Sequence, residues 1–152
     1  MVLKREEIIK EVEDGRIIIN PFDQNSVKEA SVELTVGEEI GIFRGDLKIV
    51  NSLNPGNTVI WQSFTRAPYY LEPNEALVCK TGERITLPLN ICGWITPRGR
   101  MVIFGLSLFI APGFVQPNTK DESLFFLVRN VGRVKVPLHP GSKLVQLILM
   151  RI

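Results

Sequence analysis

Lys143 and Gln146 stand three residues apart in the run Leu138-His139-Pro140-Gly141-Ser142-Lys143-Leu144-Val145-Gln146-Leu147, surrounded by turn formers and apolar residues. Pro140-Gly141 signals a turn, and Leu144, Val145, Leu147, Ile148 and Leu149 read as a nearly buried strand. An amide in such a strand is costly to bury without a partner, while a lysine at the strand's mouth offers a compact, mobile charge. A phosphate chain would satisfy both groups. The plain alternative is a glutamine bonded to neighbouring backbone and a lysine in water.

The elements that must position these groups are mostly strands. Leu3 to Gly15 carries Ile8, Ile9 and Val12 on one side, a Glu6–Lys10 pair one turn apart and a glycine where a helix would end, which predicts one short amino-terminal helix. Ile17 to Ile19 then reads as a strand. After it come short runs rich in Val, Ile, Leu and Phe: 39–44, 46–50, 57–62, 76–80, 91–95, 123–129 and 134–136. Pro, Gly and Asn separate them, and the pattern predicts an all-β sandwich or jelly-roll-like barrel.

Composition narrows the classes. With 152 residues, 45% of them hydrophobic, the chain is long enough for one core and short for two, so a single domain over 1–152 is expected. No apolar run has the length a bilayer requires, and the charged amino terminus reads as a helix rather than a signal peptide, which predicts no membrane association and a cytoplasmic protein. A formal charge of +2 with scattered basic residues gives no reason to expect nucleic-acid binding. Cys79 and Cys92 form no Cys-x-x-Cys pair, and His139 is the only histidine, so no zinc site of the usual ligands assembles within one chain. That excludes the zinc-dependent nucleobase deaminase mechanism. Both cysteines are expected to be small buried apolar residues.

Pro-Gly-x-Lys-Leu-x-Gln-Leu resembles the phosphate-side motif of the dCTP deaminase and dUTPase family, in which the matching Lys and Gln face the triphosphate. The order of helix, Ile-rich strand, Asn20-Pro21-Phe22, loop and Ser31-Val32-Glu33-Leu34-Thr35-Val36-Gly37 resembles the opening of dCTP deaminases, although the family usually has Asp at the position of Glu33. Gly82-Glu83-Arg84-Ile85-Thr86-Leu87-Pro88 and Ala111-Pro112-Gly113-Phe114-Val115 extend the likeness to about residue 151. The resemblance implies the family's distorted jelly roll, homotrimers with active sites shared between subunits, and a pyrimidine deoxynucleoside triphosphate as ligand. Magnesium would arrive with the nucleotide.

The same resemblance exposes departures. Family activity requires a carboxylate that orients or deprotonates water in dUTP hydrolysis, or a Glu that shuttles protons in dCTP deamination. In Pro97-Arg98-Gly99-Arg100, Arg98 is retained and suits phosphate by its fork geometry. Gly99 replaces the family serine, and Ile103 falls where the deaminase arginine stands. Gln116 replaces the water-positioning Asp; it can hydrogen-bond a sugar hydroxyl or water but accepts no proton at neutral pH. Leu127 occupies the position of the deaminase Glu. Asp121 and Glu122 are alternative acids, set against a plain reading as a solvated loop. Family enzymes continue into a closing tail, whereas this sequence ends at Ile152, which implies an open site.

The nucleotide-binding residues expected on these grounds are Arg98, Gly99, Arg100, Gln116, Lys143 and Gln146, with no catalytic residue assigned and no protein-held metal. The leading expectation is a catalytically eroded homologue with weak nucleotide binding or a structural or regulatory role. The alternative is an active dUTP diphosphatase or dCTP deaminase whose acids have moved to Glu33, Asp121 or Glu122. Arg98, Arg100 and Lys143 could also form a basic patch for another ligand or a partner chain. Trp61, Trp94, Tyr69, Tyr70, Phe104, Phe109 and Phe114 are expected to pack inside the barrel or at a subunit interface.

Overall fold

The computed structural model describes residues 1–46, 58–64, 66–110 and 113–152. Helix α1 (Arg5–Glu13) begins with the Glu7 carboxylate accepting from the Lys4 backbone N–H at 2.9 Å and ends before Gly15, whose φ of 71° suits only glycine without strain. Its Ile8 is fully buried. Glu11, also buried, is clasped by Arg16 (2.6 Å) and by Arg151 (2.8 Å) near the carboxyl end, and Arg16 also meets Asp14 at 3.0 Å. The Arg16 guanidinium above all, against the cost of burial and with help from Arg151, holds the Glu11 carboxyl down at about 2.

The strands described are β1 (Ile18–Asn20), β2 (Val32–Phe43), β3 (Val59–Ser63), β4 (Tyr69–Leu71), β5 (Ala76–Thr86), β6 (Ile91–Pro97), β7 (Leu106–Phe109), β8 (Phe114–Val115), β9 (Glu122–Asn130), β10 (Val136–Leu138) and β11 (Lys143–Arg151). They form a curled, antiparallel sheet in the order β7-β9-β5-β2-β11-β6-β8, with β1 on β5 and β3 on β2, plus a β4–β10 ribbon. The all-β jelly-roll-like architecture expected from the sequence is what the chain adopts, and no described helix is long and apolar enough to cross a membrane.

The strand expected over 39–44 is the second half of a longer strand, β2, which starts at Val32 within the Ser31–Gly37 motif. Its first half pairs with β11 and its second half with β3 and β5, so it joins the two parts of the sheet. Gly37 lies at a register irregularity where β2 and β5 approach closely: a Cβ there would lie 3.1 Å from the Lys80 carbonyl oxygen. Similarly β5 continues through Gly82, where a Cβ would fall 2.6 Å from the Thr35 hydroxyl. The strand expected over 46–50 lies, apart from Asp46, outside the described residues.

Leu34, Val145, Leu147, Ile95, Ile40, Leu77 and Val128 point into one apolar core with the α1 residues Leu3 and Ile8. Cys79 and Cys92 are buried as expected, and burial pushes the Cys79 thiol up to about 12. Of the two places expected for the aromatics, several are not in the barrel interior. A cross-strand row on the outer face runs Trp61, Gly41, Val78, Leu127, Phe109. Trp61 and Phe109 are exposed there, as are Phe125, Tyr70 and Trp94, because alternation along the strands sends them away from the core; Phe104 is exposed at the end of the 3₁₀ segment Met101–Phe104. Trp61 stacks with Lys80, whose ammonium lies 4.0 Å from its ring centre.

Candidate functional site

The register β2–β11–β6 puts Glu33, Gln146 and Thr96 in one cross-strand row, because Gln146 pairs with Glu33 on one side and Thr96 on the other. Their inward-facing neighbours Leu34, Val145, Leu147 and Ile95 fill the core, so the row faces outward. Glu33 is nonetheless only 5% exposed. Three cations cover it: Arg98 Nη2 lies 2.7 Å from Oε2, and Lys28 Nζ (3.2 Å) and Lys143 Nζ (3.6 Å) share Oε1. Arg98 is fixed from behind, its Nη1 donating to the Lys143 carbonyl at 3.0 Å and its backbone N–H to the Leu144 carbonyl.

Burial by itself pushes the Glu33 carboxyl up, but the hydrogen bond from Lys28 and the charges of Arg98, Lys28 and Lys143 outweigh it and hold the acid below its ordinary range. A carboxylate so stabilised is a poor proton acceptor at neutral pH. Glu33, one of the three alternative acids, is the counter-ion of these three cations. Gln146 accepts from the Ser31 hydroxyl at 2.9 Å, and its amide nitrogen has no hydrogen-bond partner among the described residues.

A cavity of about 210 Å³ opens beside this row, lined by Glu33, Lys143, Glu83, Thr35, Asp23 and Phe22 among others. Glu83 is a buried carboxylate held by neutral donors, namely the Thr35 backbone N–H at 2.9 Å and its hydroxyl at 2.9 Å. A broader groove of about 850 Å³ shares Pro21 and Thr35 with it and passes the Pro140-Gly141 turn to Lys80 and Arg84.

Of the six residues the sequence singled out, Arg98, Lys143 and Gln146 meet in this row. Gly99 and Arg100 form the exposed turn before the 3₁₀ segment Met101–Phe104, and Arg100 makes no contact with the cluster. Nothing lies within 4 Å of a Cβ built on Gly99, so space does not dictate the glycine. Gln116 lies elsewhere, lining a surface pocket of about 310 Å³ with Phe114, Asn118, Thr119, Glu122 and Leu124. Asp121 turns away to solvent in an ion pair with Arg84 at 2.9 Å, as the solvated-loop reading anticipates, whereas Glu122 borders the Gln116 pocket. No acid adjoins Leu127 in its row, where Val78 and Phe109 are its neighbours. Among the described residues no three His, Cys, Asp or Glu side chains converge.

Lys28 and the role of Glu33 escaped the sequence reading. A Lys-Glu-x-x-x-Glu spacing in a loop carries no ion-pair signal, and only the fold shows that residue 28 returns over residue 33.

A family model described as dCTP deaminase-like matches residues 2–152. The chain belongs to that family, within the wider dCTP deaminase and dUTPase group. Its relatives include the dUMP-forming dCTP deaminase of Sulfurihydrogenibium sp. (strain YO3AOP1), 26% identical over all of this chain and 84% of that protein. A dCTP deaminase of Marinomonas sp. (strain MWYL1) is 27% identical over 89% of this chain and 75% of its own length. The crystal structure of the 2'-deoxycytidine 5'-triphosphate deaminase from Agrobacterium tumefaciens superposes with a TM-score of 0.76 at 14% identity. That match covers 97% of this chain and 48% of the Agrobacterium chain, so this chain spans about half of that protein's length, and the likeness is one of fold.

Proposed function

We propose that this dCTP deaminase-like protein binds a pyrimidine deoxynucleoside triphosphate by its phosphates and does not turn it over at an enzymatic rate. The observation that carries the reading is the convergence of Arg98, Lys143 and Gln146 on one outward-facing row whose single carboxylate is already held by cations. A guanidinium, an ammonium and a free amide nitrogen are suited to phosphate oxygens. A base poised near neutral pH has no counterpart among them, and loss of a general acid or base costs about 10² to 10⁴ in rate. Magnesium, in this reading, is held by the phosphates rather than by a protein cage, and no step is assigned to it.

A homotrimer with shared sites belongs to the same proposal. It is supported by the exposed Trp61, Phe125 and Phe109, an apolar outer face that a second subunit would cover, and by the separation of the Gln116 pocket from the Lys143 row within one chain. Sedimentation velocity tests it, with a species of about 51 kDa expected from the 17.1 kDa chain and a monomer contradicting it.

One observation favours a working enzyme instead. Glu122 borders the pocket that holds Gln116, and the relatives above are named as dCTP deaminases. Incubation with magnesium and dUTP or dCTP, with detection of pyrophosphate, dUMP and ammonia, decides between the readings. Turnover at an ordinary rate, lost in Glu122→Gln, establishes the enzyme; no product with measurable nucleotide binding supports the eroded site.

A further inference from the structure

Lys28 sits in the loop that follows the short 3₁₀ segment Gln24–Ser26, with its side chain 53% exposed. The loop holds it in place, since its backbone N–H donates to the Ser31 carbonyl at 2.8 Å and its ammonium to the Asn25 carbonyl at 3.4 Å. From there the ammonium reaches the same Glu33 oxygen that Lys143 faces. One cation would balance Glu33, yet three surround it. None of the three has another carboxylate within ion-pair distance among the described residues, and Glu83 and Asp23 along the cavity wall bond to Thr35 and Asn25 instead. Two lysines drawn to one oxygen leave more positive charge than that carboxylate neutralises. The arrangement retains an excess of positive charge on the outward side of a buried carboxylate.

We propose that Lys28 is a further phosphate-binding residue, the third cation, completing with Arg98 and Lys143 a three-cation grip for a polyphosphate anion, with Glu33 as the resident counter-ion. This rests on the nucleotide reading above and deepens it: the phosphate chain is what the site selects, and a highly charged anion gains more from it than a single phosphate. Glu33 remains in place and the ligand adds to the exposed side of the cluster, so Glu33 opposes binding while it organises the cations.

Isothermal titration calorimetry of the full chain with sodium tripolyphosphate, inorganic phosphate and dUTP tests the assignment in wild type, Lys28→Gln, Lys28→Arg and Glu33→Gln. Lys28→Gln is expected to weaken tripolyphosphate about tenfold, the order of one charge-assisted hydrogen bond, and Lys28→Arg to restore most of it. Glu33→Gln is expected to tighten it severalfold, and inorganic phosphate to bind more weakly than tripolyphosphate throughout. Equal melting temperatures of wild type and Lys28→Gln without ligand establish that the fold is intact. Wild-type binding that Lys28→Gln leaves unchanged overturns the role of Lys28 alone. Weakened binding in Glu33→Gln overturns the counter-ion role, and a wild type that binds neither tripolyphosphate nor dUTP overturns the parent reading as well.

Discussion

Glu11 and Glu33 are both buried glutamates ringed by cations, yet they are balanced differently. Around Glu11 the charges close: Arg16 serves Glu11 and Asp14 together, and Arg151 ties the last strand to the helix. Around Glu33 one carboxylate faces three cations, two of them lysines, and the positive excess points outward beside an open cavity. Burial alone does not distinguish a clasp from a site. Charge balance and cation type do, since arginines lock in fixed forks whereas lysines keep a mobile head that a ligand can redirect.

The contrast is sharpened most by ligand-linked melting. Tripolyphosphate at a hundredfold excess over its dissociation constant should stabilise the wild type by about 2.7 kcal/mol. Arg98→Gln should abolish most of the shift, and Arg16→Gln should leave it intact. Thermal unfolding of the three proteins checks this.

Next in size is the clasp. Glu11→Ala removes both ion pairs at a buried position; because Arg16 and Arg151 are partly exposed and can turn to water, the expected loss is about 2 kcal/mol rather than the larger cost of stranding fully buried charge. Urea denaturation measures it. The same residue sets a pH dependence. The folded-state pKa of Glu11 lies below its unfolded value, so its contribution is complete above the ordinary 4.5 and is lost as pH falls toward about 2. Wild type should therefore lose more stability between pH 4.5 and 2 than Glu11→Gln does, and parallel curves would contradict the assignment.

The smallest effect falls on the other glutamate. Glu33→Gln keeps the shape and leaves three partly exposed cations free to solvate, so it should cost less than about 1 kcal/mol. A loss as large as that of Glu11→Ala would make Glu33 a structural clasp too.

Much of this was legible in the sequence, for identifiable reasons. Lys143 and Gln146 stood out as polar groups between a Pro-Gly turn and an apolar strand, with family likeness tipping them against a plain solvated role, and Arg98 entered through the same likeness. Lys28 was invisible because its partner is fixed by tertiary return of a loop; Glu33 was singled out as an alternative acid, but a glutamate in a Val-x-Leu strand gives no sign of being covered by cations. The strands expected over 39–44 and 76–80 proved longer, running through Gly37 and Gly82. Glycine usually punctuates strands, but here it permits β2 and β5 to continue past each other at a close approach. The choice between barrel interior and subunit interface for the aromatics was not legible, because period-two alternation gives two faces without saying which is wet.

An NMR titration of the purified chain with dUTP and with dCTP in the presence of magnesium, observing phosphorus and the pyrimidine ring protons together, tests the central claim most directly. The account predicts shifted or broadened triphosphate resonances and no new ones over hours. New pyrophosphate, monophosphate or uracil signals, or triphosphate resonances that never move, would contradict it.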